Sequence, residues 1–432
     1  MDGFIERVDT AAVPEPVRAR IDEVVAPLAD RPGLRLDAIE RALLIAGDTF
    51  GVALDSALAR GEAAGGTQLL LDAQFRPVTG FVGINNELAE DLGGFTLDAG
   101  VELNALLGLG ETLYGRVSVN PSGDPFGSRP RMRTLAAGAV MPVGRDGLTF
   151  TLEGVHSRTT PDEEGVPTTS RFDRVSLRLA YPVIRTRART LSGRLAFDAQ
   201  ADRQDVILAA GEAPIYRDRL RVLRLGATLV QTLRTGGLVE LDALASFGVD
   251  ALGARGEADA TPALPLSRQA ADAQFSKLAV SAQMVRPLGE RLVGVLAARG
   301  QTSFGTPLLK SEQISAAGPG LLSGLESGSL AGDSGWLVRA ELRAPNETTA
   351  AGAPLRLTPY AFGALGMVYL HQPTALERDR TRATSVGLGL EVLSTTNEPF
   401  GSLSGRIELS RGSRNDDKPN DTRLGVGASL RF

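Results

Sequence analysis

The chain has 432 residues, no cysteine, two histidines and a formal net charge of −5, which excludes disulfide frameworks and thiolate metal sites. That charge balance also argues against nucleic acid as a partner, because phosphate neutralisation needs clustered positive charge. No run reaches the ~20 apolar residues of a spanning helix, and the most apolar helical stretch, Ala42 to Leu58, is interrupted by Asp48 and Asp55.

A spanning barrel is not excluded, since its strands alternate and stay near neutral in hydropathy, and 50 glycines and 24 prolines suit many strands and turns. Nothing at the N-terminus reads as a signal peptide, so an exported protein would carry its signal outside this chain. Val17, Ile21, Val24 and Leu28 recur at helical spacing behind Pro14 and Pro16. Asp37 with Glu40 reads as a capping box opening a second helix that carries Ile39, Leu43 and Leu44 and stops near 47–51. Strands are expected at Val52 to Leu58 and Thr67 to Phe75, around the glycine-rich turn 61–66. Residues 1–77 therefore read as a small α+β module.

From Val78 to Phe432 period-2 alternation takes over, and about sixteen strands fit. In the last one, Leu424, Val426, Ala428, Leu430 and Phe432 share a face opposite Arg423, Gly425, Gly427, Ser429 and Arg431. Short links are expected at 107–109, 144–147, 184–188, 234–236 and 287–290. Long ones are expected near 121–130, 158–170, 203–216, 250–273, 304–332 and 411–421. Short turns on one rim and long loops on the other describe an outer-membrane β-barrel, residues 78–432, with the short turns periplasmic. An even strand count returns the C-terminus to the rim where the N-terminal module lies. Aromatic residues, at 5%, are a thin supply for two interfacial girdles. A terminal Phe432 behind alternating apolar residues, Leu430 among them, reads as the signal recognised by barrel-insertion machinery.

Leu36-Asp37-Ala38-Ile39-Glu40-Arg41-Ala42-Leu43-Leu44 followed by Phe50-Gly51-Val52 resembles the second POTRA domain of the two-partner-secretion transporters, the hemolysin secretion/activation proteins. Ile84-Asn85-Asn86-Glu87 and Leu107-Gly108-Leu109-Gly110-Glu111 resemble that family's first barrel hairpins. Further landmarks follow in order at Leu266-Ser267-Arg268, Phe275-Ser276-Lys277-Leu278, Leu308-Leu309-Lys310-Ser311-Glu312-Gln313 and Leu330-Ala331-Gly332-Asp333-Ser334-Gly335. The resemblance implies a sixteen-stranded membrane all-β barrel in the outer membrane, preceded by a periplasmic POTRA-like domain. It further implies capture of an unfolded secreted exoprotein and export through the lumen, without cofactor or metal. A passive porin-like channel, or a factor that assembles other barrels, are the competing readings.

Two departures stand out. Where the family carries an R-G-Y/F motif at the tip of an inward-folded loop, this chain reads Ser323-Gly324-Leu325. Where the family's wall carries the aspartate of a Y-x-F-x-D run, this chain reads Tyr360, Phe362 and Ala364, so both charges of that pair are lost together. The family also carries two POTRA modules and a plug helix, whereas this chain has room for one module: a truncation or a reduced variant.

Gly332-Asp333-Ser334-Gly335 also resembles a serine-protease string, but neither His156 nor His371 lies in a supporting motif, and a loop-to-strand turn is the favoured reading. Asn415, Asp416, Asp417 and Asp421 could offer oxygens to calcium, yet their spacing fits no defined loop, and a solvated loop is favoured. Arg185, Arg187 and Arg189 read as a lumen or rim face, with client steering as the sharper alternative.

Overall fold

A computed structural model describes residues 4–31, 33–162, 165–350, 353–394, 400–416 and 420–432. The N-terminal unit runs β1 (Phe4–Ala12), α1 (Glu15–Val25), α2 (Leu36–Gly47), β2 (Val52–Arg60) and β3 (Gly66–Phe75), with β3 central between parallel β1 and antiparallel β2. Strand β1 was not expected; FIERVDTAA alternates too weakly to stand out. Both helices cover one sheet face, and Val17, Ile21, Val24 and Leu28 are buried with Leu69 and Leu71. The expected capping box does not form. Arg35 is the N-cap residue, its guanidinium holds Asp37 at 2.8 Å, and this bond pulls the Asp37 carboxyl below its usual range. Glu40 instead accepts the Arg187 backbone N–H at 2.8 Å from the barrel rim.

The remaining strands close on themselves. They are β4 (Val78–Asn85), β5 (Thr96–Asn104), β6 (Thr112–Val119), β7 (Met132–Val143), β8 (Leu148–Thr159), β9 (Thr168–Arg185), β10 (Arg189–Leu208) and β11 (Gly211–Thr232). Then come β12 (Leu238–Gly248), β13 (Ser276–Pro287), β14 (Val293–Thr302), the two-residue β15 (Ile314–Ser315) and β16 (Ala331–Gly332), and β17 (Ser334–Arg343). Last are β18 (Asn346–Ala350), β19 (Ala353–Tyr369), β20 (Arg380–Ser394), β21 (Ser402–Arg414) and β22 (Asp421–Arg431). Strands β17 and β18 both pair with β19 and make one stave broken at Pro345, so the barrel has sixteen antiparallel staves, closed by β22 on β4. Closure leaves no sheet edge to satisfy.

The outward faces are apolar: on β22, Leu424, Val426, Leu430 and Phe432 are exposed, and on β9, Val175, Leu177, Leu179, Tyr181 and Val183. Such exposure on a water-soluble protein would be anomalous; on a closed barrel it is the lipid face. Among the described residues no helix is long and apolar enough to cross a membrane.

One expected loop is absent. Residues 203–216 continue β10 and β11 as a long two-stranded extension, paired through Leu208↔Gly211 with an irregularity between Gln204 and Asp205. Alternation there is of polar residues, Asp202 opposite Asp218 and Arg203 opposite Arg217, so hydropathy did not register it. The links near 121–130, 158–170, 250–273 and 304–332 are present, the last being the longest, while 411–414 belong to β21 and 417–419 lie outside the described residues.

The N-terminal unit sits on the rim of short turns. Arg20 donates to the Gly144 carbonyl at 2.6 Å, and Arg41 donates to the Pro182 carbonyl at 2.7 Å while lying 5.7 Å over the Tyr181 ring. Arg185 takes both oxygens of Asp48 at 2.6 and 3.0 Å, and Arg189 donates to Gln231. The basic run lies on the rim, where Arg185 holds the module through Asp48 and Arg189 stays within the barrel wall.

Candidate functional site: a loop folded into the barrel

Charged side chains point into the lumen because strand alternation puts every second residue there and hydrocarbon forbids them outside. On β17 the inward positions are Leu337, Arg339, Glu341 and Arg343; on β19 they are Tyr360, Phe362 and Ala364; on β21 Glu408 and Ser410. The link from β14 to β17 turns into this space. Its Leu322, Leu325 and Leu330 are buried against Leu337, Ala364, Val368 and Ala383. Farther round the wall, Leu308 and Leu309 pack with Leu220, Val222 and Phe275.

Three polar anchors hold the loop. At its tip, Arg339 donates from Nη1 to the Ser323 hydroxyl at 2.9 Å and to the Leu321 carbonyl at 3.3 Å. The same guanidinium pairs with Glu341 at 2.6 Å and Glu408 at 2.7 Å, and lies 3.5 Å over the Phe362 ring. Tyr360 donates its hydroxyl to Glu408 at 2.8 Å, and the Gly324 N–H donates to Ser385 Oγ at 2.9 Å. The neutral tip residues Ser323 and Leu325 are therefore set against a charged wall. Leu325 and Ala364 share a buried apolar cluster beside Ser323, and a wall arginine supplies the cation.

The second anchor is Glu312, buried at 2% exposure, which accepts from Arg224 at 2.7 Å, Lys277 at 2.8 Å and Gln200 at 3.1 Å. Arg224 also binds Asp198 at 2.6 Å, so three barrel strands converge on one loop carboxylate. The third is Asp333, fully buried where the loop rejoins the wall. It accepts from Arg268 at 3.2 Å, from the Leu308 and His371 backbone N–H groups at 3.0 and 2.7 Å, and from Gln313 at 2.9 Å. Gly332 is packed against the Val368 and Tyr369 backbone, where a side chain would collide, and Gly335 likewise abuts Met367.

Ser334 Oγ lies 3.0 Å from His371 Nε2, a pairing that hydropathy gave no reason to expect. A triad needs an acid on the other ring nitrogen, yet Asp333 binds the His371 backbone N–H, and Ser334 Oγ accepts the Ser303 N–H. The group ties two loops together. His156 pairs with Asp173 at 2.7 Å on the outer face of β8 and β9. Asp416 and Asp421 are taken by Arg414 and Arg423, Asp417 lies outside the described residues, and no metal-holding cluster occurs among those described.

Arg339, Glu341 and Arg224 escaped sequence reasoning, though alternate charges on β17 mark an inward face, while Glu312 and Lys277 each sat inside a landmark with no sign that they pair. Beside the loop a cavity of about 700 Å³ remains, walled by Asp98, Arg116, Glu391, Arg406 and Ser404. The lumen is thus polar, partly open and crossed by a tethered loop.

The family described as haemolysin secretion/activation protein ShlB/FhaC/HecB matches residues 65–392. Among solved structures, CdiB from Escherichia coli aligns over 100% of this chain and 77% of its own, with TM-score 0.79 at 20% identity. CdiB from Acinetobacter baumannii aligns over 100% and 74%, with TM-score 0.72 at 16% identity. BamA from Haemophilus ducreyi lacking POTRA domains 1–3 aligns over 100% and 85%, with TM-score 0.59 at 12% identity. Among curated proteins none matches the sequence.

Proposed function

The chain belongs to the haemolysin secretion/activation family ShlB/FhaC/HecB, outer-membrane transporters of two-partner secretion, and from that premise we propose that it exports one large, unfolded exoprotein. In this reading residues 1–77 form the periplasmic capture module and residues 78–432 the pore. The short-turn rim faces the periplasm and the tethered loop closes the resting lumen. Leu430 and Phe432 serve as the insertion signal.

The observation that carries it is the loop itself. A loop pinned by Arg339, Glu312 and Asp333 obstructs free diffusion, which counts against a passive porin, while a polar wall beside it suits an extended peptide. Capture has a physical basis in β2, which pairs only with β3, so its outer edge is free among the described residues. An extended client can add there by backbone hydrogen bonds, with little demand on its sequence. Leu36 and Leu58, exposed at 78% and 69%, offer apolar contacts on the adjoining helix and strand.

The test is a photo-crosslinking residue at Ser56 on β2, read in cells that make the client. Crosslinks to exoprotein in transit, with periplasmic retention of it on deletion of the transporter, are expected. Normal secretion in the deletion strain contradicts the proposal.

A further inference from the structure

Five arginines face one another directly across five consecutive strands: Arg133 on β7 opposite Arg158 on β8, then Arg171 on β9, Arg203 on β10 and Arg217 on β11. All five share strand parity with exposed outward residues such as Leu135, Leu152, Val175, Leu195 and Leu223, so the row is on the outer face. Like charges directly opposite in a sheet repel; only Arg133 among the five is also seen holding a link by its side chain, donating to the Pro125 and Gly127 carbonyls at 3.3 Å.

The row also has a definite height. Six residues along each strand toward the N-terminal unit lies a wholly apolar rung, Ala139, Leu152, Leu177, Phe197 and Leu223. That is about 20 Å along tilted strands, which puts the arginines at the headgroup level on the rim opposite the N-terminal unit. Carboxylates offset part of the charge: Asp173 binds Arg171 at 2.8 Å, Glu212 lies 3.6 Å from Arg158, and Asp205 lies 3.5 Å from Arg203. Among the described residues the buried Nε atoms of Arg158 and Arg217 make no hydrogen bond, and Arg171, Arg203, Arg217 and Arg219 line a concavity of about 190 Å³.

We propose that this row binds the phosphate groups of a phosphorylated glycolipid in the outer leaflet, its acyl chains lying against the apolar rung below. Guanidinium forks match phosphate oxygens bidentately, their stems cover apolar surface, and an anionic headgroup relieves the repulsion along the row. The leaflet assignment rests on the orientation proposed above.

The full chain in phosphatidylcholine nanodiscs is offered diphosphoryl lipid A, phosphate-free lipid A or inorganic phosphate, and retained ligand is measured by native mass spectrometry. Wild type should retain diphosphoryl lipid A about tenfold better than the phosphate-free form, the effect of one bidentate contact. The triple variant Arg171→Gln, Arg203→Gln, Arg217→Gln should abolish that difference, and the triple Lys variant should keep most of it. Heat-modifiable gel migration reports folding. If the triple Gln variant fails to fold, Arg203→Gln alone should still lower retention. Equal retention by the Gln variant or of phosphate-free lipid overturns the proposal, as does displacement by inorganic phosphate, which makes the row a free-anion site. Orientation is read separately by labelling Leu208→Cys on intact cells with an impermeant thiol reagent. Labelling is expected, and its failure moves the row to the inner leaflet and overturns the leaflet assignment.

Discussion

Ser323 at the tip of the inward loop accepts a hydrogen bond from Arg339 on β17 at 2.9 Å, so the wall brings the charge and the loop brings a neutral acceptor. Arg339 in turn pairs with Glu408 at 2.7 Å, which places the serine beside a fixed ion pair. A loop attached this way can leave its site without carrying an unpaired charge across the lumen.

That asymmetry separates two substitutions. Arg339 is 2% exposed, and its removal takes the cation from Glu408 while Glu341 keeps Arg343, at a cost of ~3–5 kcal/mol for a broken buried pair. Ser323→Ala removes one hydrogen bond to a charged group, about 1.5–3 kcal/mol, and that loss falls on the loop alone. Arg339→Ala should therefore lower the barrel's unfolding midpoint in urea. Ser323→Ala should leave the midpoint nearly unchanged and raise open-channel activity in planar bilayers. Equal effects of the two on unfolding contradict the division of labour.

Restoring the family pair gives a second test. Ser323→Arg alone brings a guanidinium beside Arg339 with no new anion, and should destabilise the closed loop. Adding Ala364→Asp supplies the anion, and a double-mutant cycle should show favourable coupling of about 1–3 kcal/mol. Zero coupling means that the loop tip no longer reaches the Ala364 wall.

How much of this was legible beforehand depends on which residues carried a periodic signal. Alternation in 424–432 and the contrast of short and long links revealed the barrel, because lipid on one side and water on the other impose period 2 throughout. The β10–β11 extension was misread as a loop because its alternation, Asp202, Arg203, Asp218 and Arg217, is polar on both faces above the apolar rungs. The loop's anchors were legible only in part. Glu312, Asp333, Lys277 and Arg268 all sat in landmarks, but Arg224 did not, and no local pattern pairs residues so distant in sequence. His371 beside Ser334 is of the same kind.

Glu312 should be the most sensitive point of the loop's first half. Glu312→Gln keeps the shape and removes the charge that offsets Arg224 and Lys277, both nearly buried. Uncompensated cations there should destabilise the loop by several kcal/mol and expose 303–333 to added protease on whole cells. Lys277→Met together with Glu312→Gln should recover part of the protection. No gain in cleavage for Glu312→Gln would show that the anchor is redundant.

At the opposite rim the contacts differ in kind. Arg187 approaches Glu40 at 4.0 Å with 81% of its side chain exposed, and such surface pairs contribute ~0–1 kcal/mol. Arg41 combines a carbonyl bond at 2.7 Å with the Tyr181 ring. Spin labels on the module and on the rim should show broadened distances for Arg41→Ala and an unchanged distribution for Arg187→Ala. The reverse order would mean that charge rather than packing docks the module.

Phe432 performs two tasks that one deletion confounds. Its backbone closes the barrel, donating to the Gly80 carbonyl at 3.0 Å and accepting from the Gly80 N–H at 2.9 Å. The seam it completes is short, running only from Arg431↔Phe81 to Gly427↔Asn85 before the Asn86 side chain takes over, bonding Leu424 and Val426. Its ring meanwhile projects outward among the lipid-facing residues. Phe432→Ala keeps both backbone bonds and removes the ring; truncation at Arg431 removes both. If the ring is what insertion machinery reads, Phe432→Ala should lower assembled barrel in cells nearly as far as truncation does. In detergent, where no machinery acts, Phe432→Ala should refold about as well as wild type, and only the truncation should show a weakened seam. A Phe432→Ala defect of the same size in both settings would assign the residue to barrel closure rather than to recognition.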